Sequence, residues 1–229
     1  MAKLFLSGGG DAKQTEEIDK EFVRQINLGK PLLYIPIALK GVISYESCFE
    51  WINRTLNPLG VQNIVMWTDL SNKSIKDLDQ FSAIYIGGGN TFSLLHDLRI
   101  SKFDLVLREY LKMNGVVYGG SAGAIIFGKD IKTASYMDIN NVNMQDYRGL
   151  DLTQGYSIWC HYQEKHNELI KNYIKKTENP IVALSEEVGV HIVDNKLQVL
   201  SNHPIYIFKE DESKVIKMKA INKYINLKE

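Results

Sequence analysis

Short apolar runs alternate with amphipathic helical patterns along the first half of the chain. The apolar runs predict strands at residues 4–6, 31–36, 61–67, 83–86 and 115–118. Helical periodicity covers residues 15–28, 44–56, 91–98 and 102–114. Strands this short and this apolar, separated by helices, indicate an α/β fold with a mostly parallel sheet and helices on both faces.

The second half of the chain has a different pattern. Residues 129–155 have weak periodicity and many Asn, Asp and Tyr residues, which is typical of a long excursion. A strand is predicted at 156–160 and a helix at 164–176, followed by strands at 181–184, 188–193, 197–200 and 205–209, with turns at 194–195 and at Asn202. The alternation in 214–219 predicts an edge strand with one wet face. Because no linker or repeat interrupts this order, we expect one domain, 1–229, with additional late strands.

Composition narrows the class of protein. Apolar residues make up 45% and charged residues 24%, as in soluble globular proteins. Lys plus Arg number 27 and Asp plus Glu also 27, so no overall field favours nucleic acid or a membrane surface as a partner. Two cysteines, Cys48 and Cys160, do not make a disulfide scaffold or a zinc site. The first apolar stretch is too short for a signal peptide, and we expect a cytoplasmic protein.

Glycine clusters follow three of the predicted strands. They lie at residues 8–10, 87–89 and 119–120. In parallel α/β sheets, ligands bind beyond the carboxyl ends of the strands. The clusters therefore predict a functional site at this edge of the sheet.

The turn Gly119-Gly120-Ser121-Ala122-Gly123 has the pattern of a nucleophile elbow. It follows a strand and precedes an apolar helix start, and its small residues leave the hydroxyl of Ser121 exposed on a tight turn. The amide of Ala122 comes next and is suited to stabilise an oxyanion. A glycine-rich turn that only packs, or that binds phosphate, is the alternative.

A serine nucleophile needs a histidine base and a carboxylate that orients the histidine. Of the five histidines, His161 follows a strand and lies where site residues collect. The others have structural or solvated interpretations: a helical position for His96, a solvated polar helix for His166, strand alternation for His191 and a turn for His203.

The orienting acid has several candidates. Glu186 and Glu187 follow the strand at 181–184, which is again a strand end. Paired glutamates are otherwise common in solvated turns. Asp130 and Asp138 are alternatives because both come after the elbow.

Together, several segments resemble one family, the peptidase E or aspartyl dipeptidase family of serine peptidases, which includes cyanophycinase-like enzymes. The segments are the strand into Ser7-Gly8-Gly9, the block 86–92 (IGGGNTF), the block 120–124 (GSAGA) and Leu184-Ser185-Glu186. Their order and spacing resemble the family over nearly the whole chain. The pair GGGNT and GSAGA is far more specific than either alone.

The resemblance implies a Ser-His-Glu triad in that chain order. Position by position, Ser121 is the nucleophile, His161 the base and Glu186 the acid. The second oxyanion amide would come from Gly88 or Gly89, beside that of Ala122. The implied fold is the α/β sandwich of class I glutamine amidotransferases.

Aspartyl specificity requires a cation in the pocket, and the chain departs from the family here. It has five arginines, Arg24, Arg54, Arg99, Arg108 and Arg148. None follows Arg148, so Lys165, beside the predicted base, is the candidate cation. Asn90 in the glycine block is the other candidate for substrate contact.

The resulting hypothesis is hydrolysis of short peptides through an acyl-enzyme, with no metal or organic cofactor required. An esterase, or an isopeptidase of the cyanophycinase type, is the alternative among enzymes. A non-catalytic ligand-binding protein of the same fold is the alternative in another class. A nucleotide-binding function is less supported, because the chain has no dinucleotide fingerprint after its first strand and no P-loop lysine.

Overall fold

The order of strands and helices agrees with the alternation in the sequence. The computed structural model describes residues 3–193, 196–211, 214–220 and 224–227. The strands are β1 (Lys3–Ser7), β2 (Leu32–Ile35), β3 (Ile64–Met66), β4 (Ala83–Ile86), β5 (Val116–Gly120), β6 (Ser157–Trp159), β7 (Ile181–Ala183), β8 (Gly189–Val193), β9 (Lys196–Val199), β10 (Ile205–Asp211), β11 (Lys214–Ala220) and β12 (Tyr224–Asn226). The α-helices are α1 (Glu16–Arg24), α2 (Tyr45–Leu56), α3 (Ile75–Leu78), α4 (Thr91–Ile100), α5 (Phe103–Lys112), α6 (Ala122–Ile125) and α7 (Asn167–Thr177). Short 3₁₀ segments lie at Ile37–Leu39, Asn57–Leu59, Lys132–Tyr136 and Glu164–His166.

The larger sheet is parallel through its centre. In the described part of the chain, its strand order is β12-β9-β8-β1-β5-β4-β2-β3. The pairs β1–β5, β5–β4, β4–β2 and β2–β3 are parallel. The late strand β8 pairs antiparallel with β1, and β9 and β12 continue that antiparallel edge. The predicted mostly parallel sheet with additional late strands is therefore confirmed.

A smaller sheet has the order β11-β10-β7-β6 within the described residues. Here β6 and β7 are parallel, whereas β10 is antiparallel to both of its neighbours. The lysine-rich segment 214–219 lies in β11 at the sheet edge, as predicted. The predicted turn at 194–195 lies outside the described residues.

Two hydrophobic cores cover the faces of the larger sheet. Because successive side chains on a strand point to opposite faces, Leu4 and Leu6 join one core and Phe5 joins the other. Apolar residues of α4 and α5 complete the first core, and those of α1 and α2 complete the second. Phe22 of α1, fully buried, packs edge-on against Phe5 with ring centroids 5.5 Å apart. Burial of each such ring contributes about 1.5–3 kcal/mol. The predicted helices on both faces are confirmed.

The smaller sheet lies against the same body. Ile158 of β6 and Val182 of β7 belong to the core that contains α4 and α5. On the opposite face, Ile170 and Ile174 of α7 pack with Trp159. This arrangement holds the end of β6 close to the larger sheet.

Several details differ from the sequence predictions. The helix expected at 164–176 opens with the 3₁₀ turn, and α7 begins at Asn167. The short elements α3 and β12 were not predicted, because three or four residues show no clear periodicity. The prediction that His166 is solvated was wrong. Its side chain is buried against Tyr136 and Trp159, and burial lowers its pKa.

Candidate active site

The carboxyl ends of β1, β5 and β4 lie side by side, because these strands are neighbours in the larger sheet. Ser7 at the end of β1 is in register with Gly120 of β5. On its other side, Ser7 is in register with Gly189 at the start of antiparallel β8. The same edge of the sheet therefore holds the residues that follow β4 and β5 and the residues that precede β8.

Ser121 forms a strained turn between β5 and α6. Its φ of 50° and ψ of −112° are unfavourable for a residue with a side chain. The backbone holds this conformation, because the amide of Ser121 donates to the carbonyl of Ser7 at 3.2 Å. Gly123 allows the turn to approach β4, since a Cβ there would collide with the carbonyl of Ile86. The local sequence thus directs the Ser121 side chain out of the turn.

His161 follows β6, in the smaller sheet, and reaches the serine from there. Its backbone has a φ of 50°, and its amide donates to the carbonyl of Gly8 at 3.0 Å. The Nε2 atom of His161 lies 2.8 Å from Oγ of Ser121, within hydrogen-bond distance. Gly9 makes this approach possible, because a Cβ there would lie 2.5 Å from Cε1 of the imidazole ring.

Glu186 lies in the turn before β8 and contacts the far side of the imidazole. Its Oε1 atom is 3.1 Å from Nδ1 of His161. Its Oε2 atom accepts a hydrogen bond from the side-chain amide of Gln14 at 3.3 Å. The His161 side chain is 23% exposed and that of Glu186 46%, so the site opens to solvent on the acid's side. Sequence reasoning missed Gln14, which lies in a polar turn without a recognisable motif.

The glycine block and the serine turn present free backbone amides. Gly88 lies against the nucleophile: a Cβ built on it would be 3.2 Å from Cβ and 3.8 Å from Oγ of Ser121. Gly89 adopts a φ of 133° and packs closely on the carbonyl of Ala38. The described residues provide no hydrogen-bond acceptor for the amides of Gly88, Gly89 or Ala122. These amides remain available for an oxyanion.

Asn90 and Lys165 are placed differently from the triad residues. The side chain of Asn90 caps α4, accepting from the amide of Ser93 at 2.9 Å and donating to the carbonyl of Ile139 at 2.8 Å. Both of its polar groups are thereby engaged. Lys165 is exposed in the 3₁₀ turn before α7 and does not line the cavity beside Ser121.

The alternative acids do not contact the serine or the histidine. Asp138 accepts a hydrogen bond from the amide of Thr91 at 2.8 Å, and this bond connects the segment 129–155 to the start of α4. Asp130 is buried, with its carboxylate bonded to the amide of Lys132 and the side chain of Asn179. Both have structural partners within the described residues.

Cys160 lies next to His161 but points away from it. Its Sγ is buried and contacts the carbonyl oxygens of Ser7 and Ser121 at 3.7 and 3.6 Å. Burial raises the pKa of this thiol, which keeps it neutral. The geometry therefore favours the serine over the cysteine as a nucleophile.

A cavity of about 510 Å³ lies beside Ser121. Helix α2 forms one wall, and among the described residues its Arg54 is the cation that lines the cavity. The sequence showed Arg54 only as one of five arginines, because nothing in α2 marks a ligand site. Among the described residues, no group of three or more His, Cys, Asp or Glu side chains could hold a metal ion. Nor does any described helix have the length and apolarity needed to cross a membrane.

Comparison with known proteins identifies the family of this chain. The model of peptidase family S51 matches residues 4–200. The chain belongs to peptidase family S51. Curated relatives include peptidase E of Nostoc sp. strain PCC 7120, 29% identical over 200 residues, 81% of this chain and 78% of the relative. Peptidase E of Shewanella baltica strain OS195 is 30% identical over 195 residues, 80% of this chain and 78% of the relative.

Solved structures share the fold of this S51 member. A peptidase from an acI-B1 Actinobacterium superposes with a TM-score of 0.74 at 18% identity, covering 99% of this chain and 97% of the other. A candidate peptidase E protein from Listeria monocytogenes EGD-e gives 0.65 at 23% identity, covering 96% and 100%. The fold is consistent with the predicted similarity to class I glutamine amidotransferases, and family membership supports a peptidase.

Proposed function

We propose that this S51 member is a serine peptidase that hydrolyses short peptides through an acyl-enzyme. The observation that carries the proposal is the continuous contact from Ser121 to His161 to Glu186, at 2.8 and 3.1 Å. Serine, histidine and carboxylate in this geometry are the parts of a nucleophile, its base and the group that orients the base.

In the first step, Oγ of Ser121 attacks the scissile carbonyl carbon while Nε2 of His161 takes the hydroxyl proton. The carbonyl oxygen becomes an oxyanion, and the amides of Ala122 and of Gly88 or Gly89 stabilise it. The C–N bond then breaks, and His161 gives its proton to the leaving amine. Glu186 holds the imidazole in the tautomer that these transfers need.

In the second step, water attacks the acyl-enzyme. His161 accepts a proton from the water, and the bond between the acyl carbon and Oγ of Ser121 breaks. The serine regains its proton and the carboxylic acid leaves. No group outside the chain and the water is needed for this cycle.

The size of the cavity suits short peptides. Its volume of about 510 Å³ is in the range that accommodates small ligands, roughly 300–1,000 Å³. The test is hydrolysis of a dipeptide and tripeptide panel by the wild type and by Ser121→Ala, each checked for folding by circular dichroism. Turnover by the wild type alone supports the proposal, whereas equal turnover by both proteins contradicts it.

A further inference from the structure

Three of the side chains that line the cavity beside Ser121 are aromatic. Tyr34 of β2, Tyr85 of β4 and Trp51 of α2 line it, together with Leu39 and Ile43. Helix α2 presents one continuous strip to the cavity, because Ser47, Cys48, Trp51 and Arg54 are spaced along one side of the helix. The cavity is therefore a slot between this helix and the sheet edge.

The aromatic wall is braced by its own packing. Tyr34 and Tyr85 are 1% and 4% exposed, and their rings pack edge-on at 5.8 Å. Trp51 packs edge-on against Tyr85 at 6.2 Å, and Tyr85 stacks on Tyr118 at 4.3 Å. Closely packed rings of this kind do not collapse easily into an adjacent space. The wall thus keeps its shape when a ligand enters.

The aromatic wall is also uncharged. Burial raises the pKa of Tyr34, of Tyr85 and of the Cys48 thiol, so all three remain neutral near pH 7. Within the described part of the chain, the charged groups that line the cavity are Arg54 and Asp11, both exposed and opposite in sign. The Asp11 carboxylate accepts from the amides of Lys13 and Gln14, which fixes it in the turn after β1. Together these two groups give the cavity no net positive charge.

The position of the cavity assigns it to one side of the scissile bond. Ser121, Gly88 and Gly9 line it, but the side chains of His161 and Glu186 do not, although Gly9 also lies against the imidazole. Tyr34 and Tyr85 belong to the core on one face of the larger sheet, whereas β6, which precedes His161, packs on the core of the other face. Because His161 donates the proton to the leaving amine, the leaving amine lies on the histidine side. The cavity on the other side of Ser121 accordingly receives the acyl part of the substrate.

We infer that this cavity binds a large apolar or aromatic side chain of the residue whose carbonyl Ser121 attacks. This inference rests on the proposed function and names its substrate class: short peptides with residues such as Phe, Trp or Leu on the acyl side. An aspartyl side chain fits less well. It would leave much of the slot empty and place a carboxylate among neutral aromatic rings. The cation in the lining, Arg54, is exposed, so solvent screens its attraction for that carboxylate.

The first test is a dipeptide panel in which only the acyl residue changes: Phe–Ala, Leu–Ala, Gly–Ala and Asp–Ala. The expected kcat/KM for Phe–Ala exceeds that for Asp–Ala by about 100-fold, the scale of selectivity that an apolar pocket gives. An Asp–Ala optimum that Arg54→Gln abolishes would overturn the inference and assign Arg54 as the specificity group.

The second test fills the slot from its rim with Ser47→Trp. Ser47 is exposed and lines the cavity, so we expect the fold to tolerate the larger side chain and the indole to occupy the space of the substrate side chain. We expect kcat/KM for Phe–Ala to fall about 30-fold or more, with Gly–Ala changed less than about threefold. Glu46→Trp is the matched control, because Glu46 is the exposed neighbour on α2 that does not line the cavity.

Failure of the inference and failure of the proposed function give different results. Suppose that a fluorophosphonate probe labels Ser121, but the panel shows an optimum for Gly–Ala or Asp–Ala, or no turnover at all. This result overturns the inferred substrate class alone. Absence of labelling together with absence of turnover in the folded protein overturns both. Equal loss of Phe–Ala and Gly–Ala turnover in Ser47→Trp also contradicts the inference.

Discussion

The Oγ atom of Ser121 lies 2.8 Å from Nε2 of His161, although the two residues follow strands of different sheets. Both residues also have a φ of 50°, a conformation that costs energy for residues other than glycine. The hydrogen bonds from their amides to the carbonyls of Ser7 and Gly8 anchor them to the end of β1. One strand end therefore positions the nucleophile and its base together.

Replacement of Ser121 separates chemistry from backbone strain. Both Ser121→Ala and Ser121→Gly remove the hydroxyl, so kcat is expected to fall by about 10⁴-fold or more. Glycine relieves the positive φ that alanine retains, and it should make the folded state about 1 kcal/mol more stable than alanine does. Urea unfolding compares the two variants. Greater stability of the alanine variant would show that the turn is not strained in solution.

Glu186→Gln tests the orienting acid. Glutamine keeps the size of the side chain but loses the charge that stabilises the imidazolium, and its amide can bond the wrong tautomer of His161. We expect kcat to fall on the order of 10²–10⁴-fold with folding intact. Glu187→Gln is the matched control, since the adjacent side chain is exposed and makes no contact with His161. Similar losses in both variants would contradict the assignment of Glu186.

Gln14 is expected to act as a positioning residue through Glu186. Its side-chain oxygen accepts from the amide of Asp11 at 2.9 Å, which leaves its NH₂ group directed at Oε2 of Glu186. Gln14→Ala removes one hydrogen bond and should lower kcat/KM about 3- to 10-fold. Gln14→Glu places a second carboxylate against Glu186, and the repulsion between the two negative charges should lower kcat/KM about 100-fold.

Lys13→Ala, a change in the same turn, serves as the control for Gln14. Steady-state kinetics with one dipeptide substrate are sufficient for the comparison. If Gln14→Glu were as active as Gln14→Ala, the contact with Glu186 would have no part in turnover.

The burial of Asp19 predicts that the free energy of unfolding depends on pH. Its side chain lies on the buried face of α1, and burial raises its pKa from 3.8 to about 6, against the opposing hydrogen bond from Thr15. The unfolded chain loses this proton near pH 4 and the folded chain near pH 6, so stability falls as pH rises through that window. The loss is on the order of 3 kcal/mol.

Asp19→Asn should remove this loss, because the amide carries no charge at any of these pH values. Urea unfolding of the wild type and the variant at pH 4, 5, 6 and 8 measures it. The free energy of unfolding of the wild type should decline between pH 4 and 6 relative to that of the variant. Parallel curves for the two proteins would show that the pKa of Asp19 is not raised in the folded state.

Most of the fold was predictable because local patterns decide it. The strand at 83–86 has the same bounds in the structure, since it is a continuous apolar run between polar turns. The serine turn and the glycine block were also found from sequence, because small residues at strand ends are a local feature. Shorter elements such as α3 were missed, since four residues do not complete a helical repeat.

The walls of the site could not be predicted in the same way. His166 appears in a polar segment, but the packing of Tyr136 and Trp159 buries it. Arg54 reaches the cavity because α2 packs beside the ends of β2 and β4, which is a long-range relationship. Gln14 contacts Glu186 across 172 positions of sequence. Such contacts depend on tertiary packing, which sequence periodicity does not encode.

The most direct test of the central claim is covalent labelling with a fluorophosphonate probe, mapped by peptide mass spectrometry. The account predicts one adduct, on Ser121, in the wild type. It predicts no adduct in Ser121→Ala and much slower labelling in His161→Gln, since the base can no longer activate the hydroxyl. A folded wild-type protein that is not labelled, or an adduct that persists in Ser121→Ala, would contradict the assignment of Ser121 as the nucleophile.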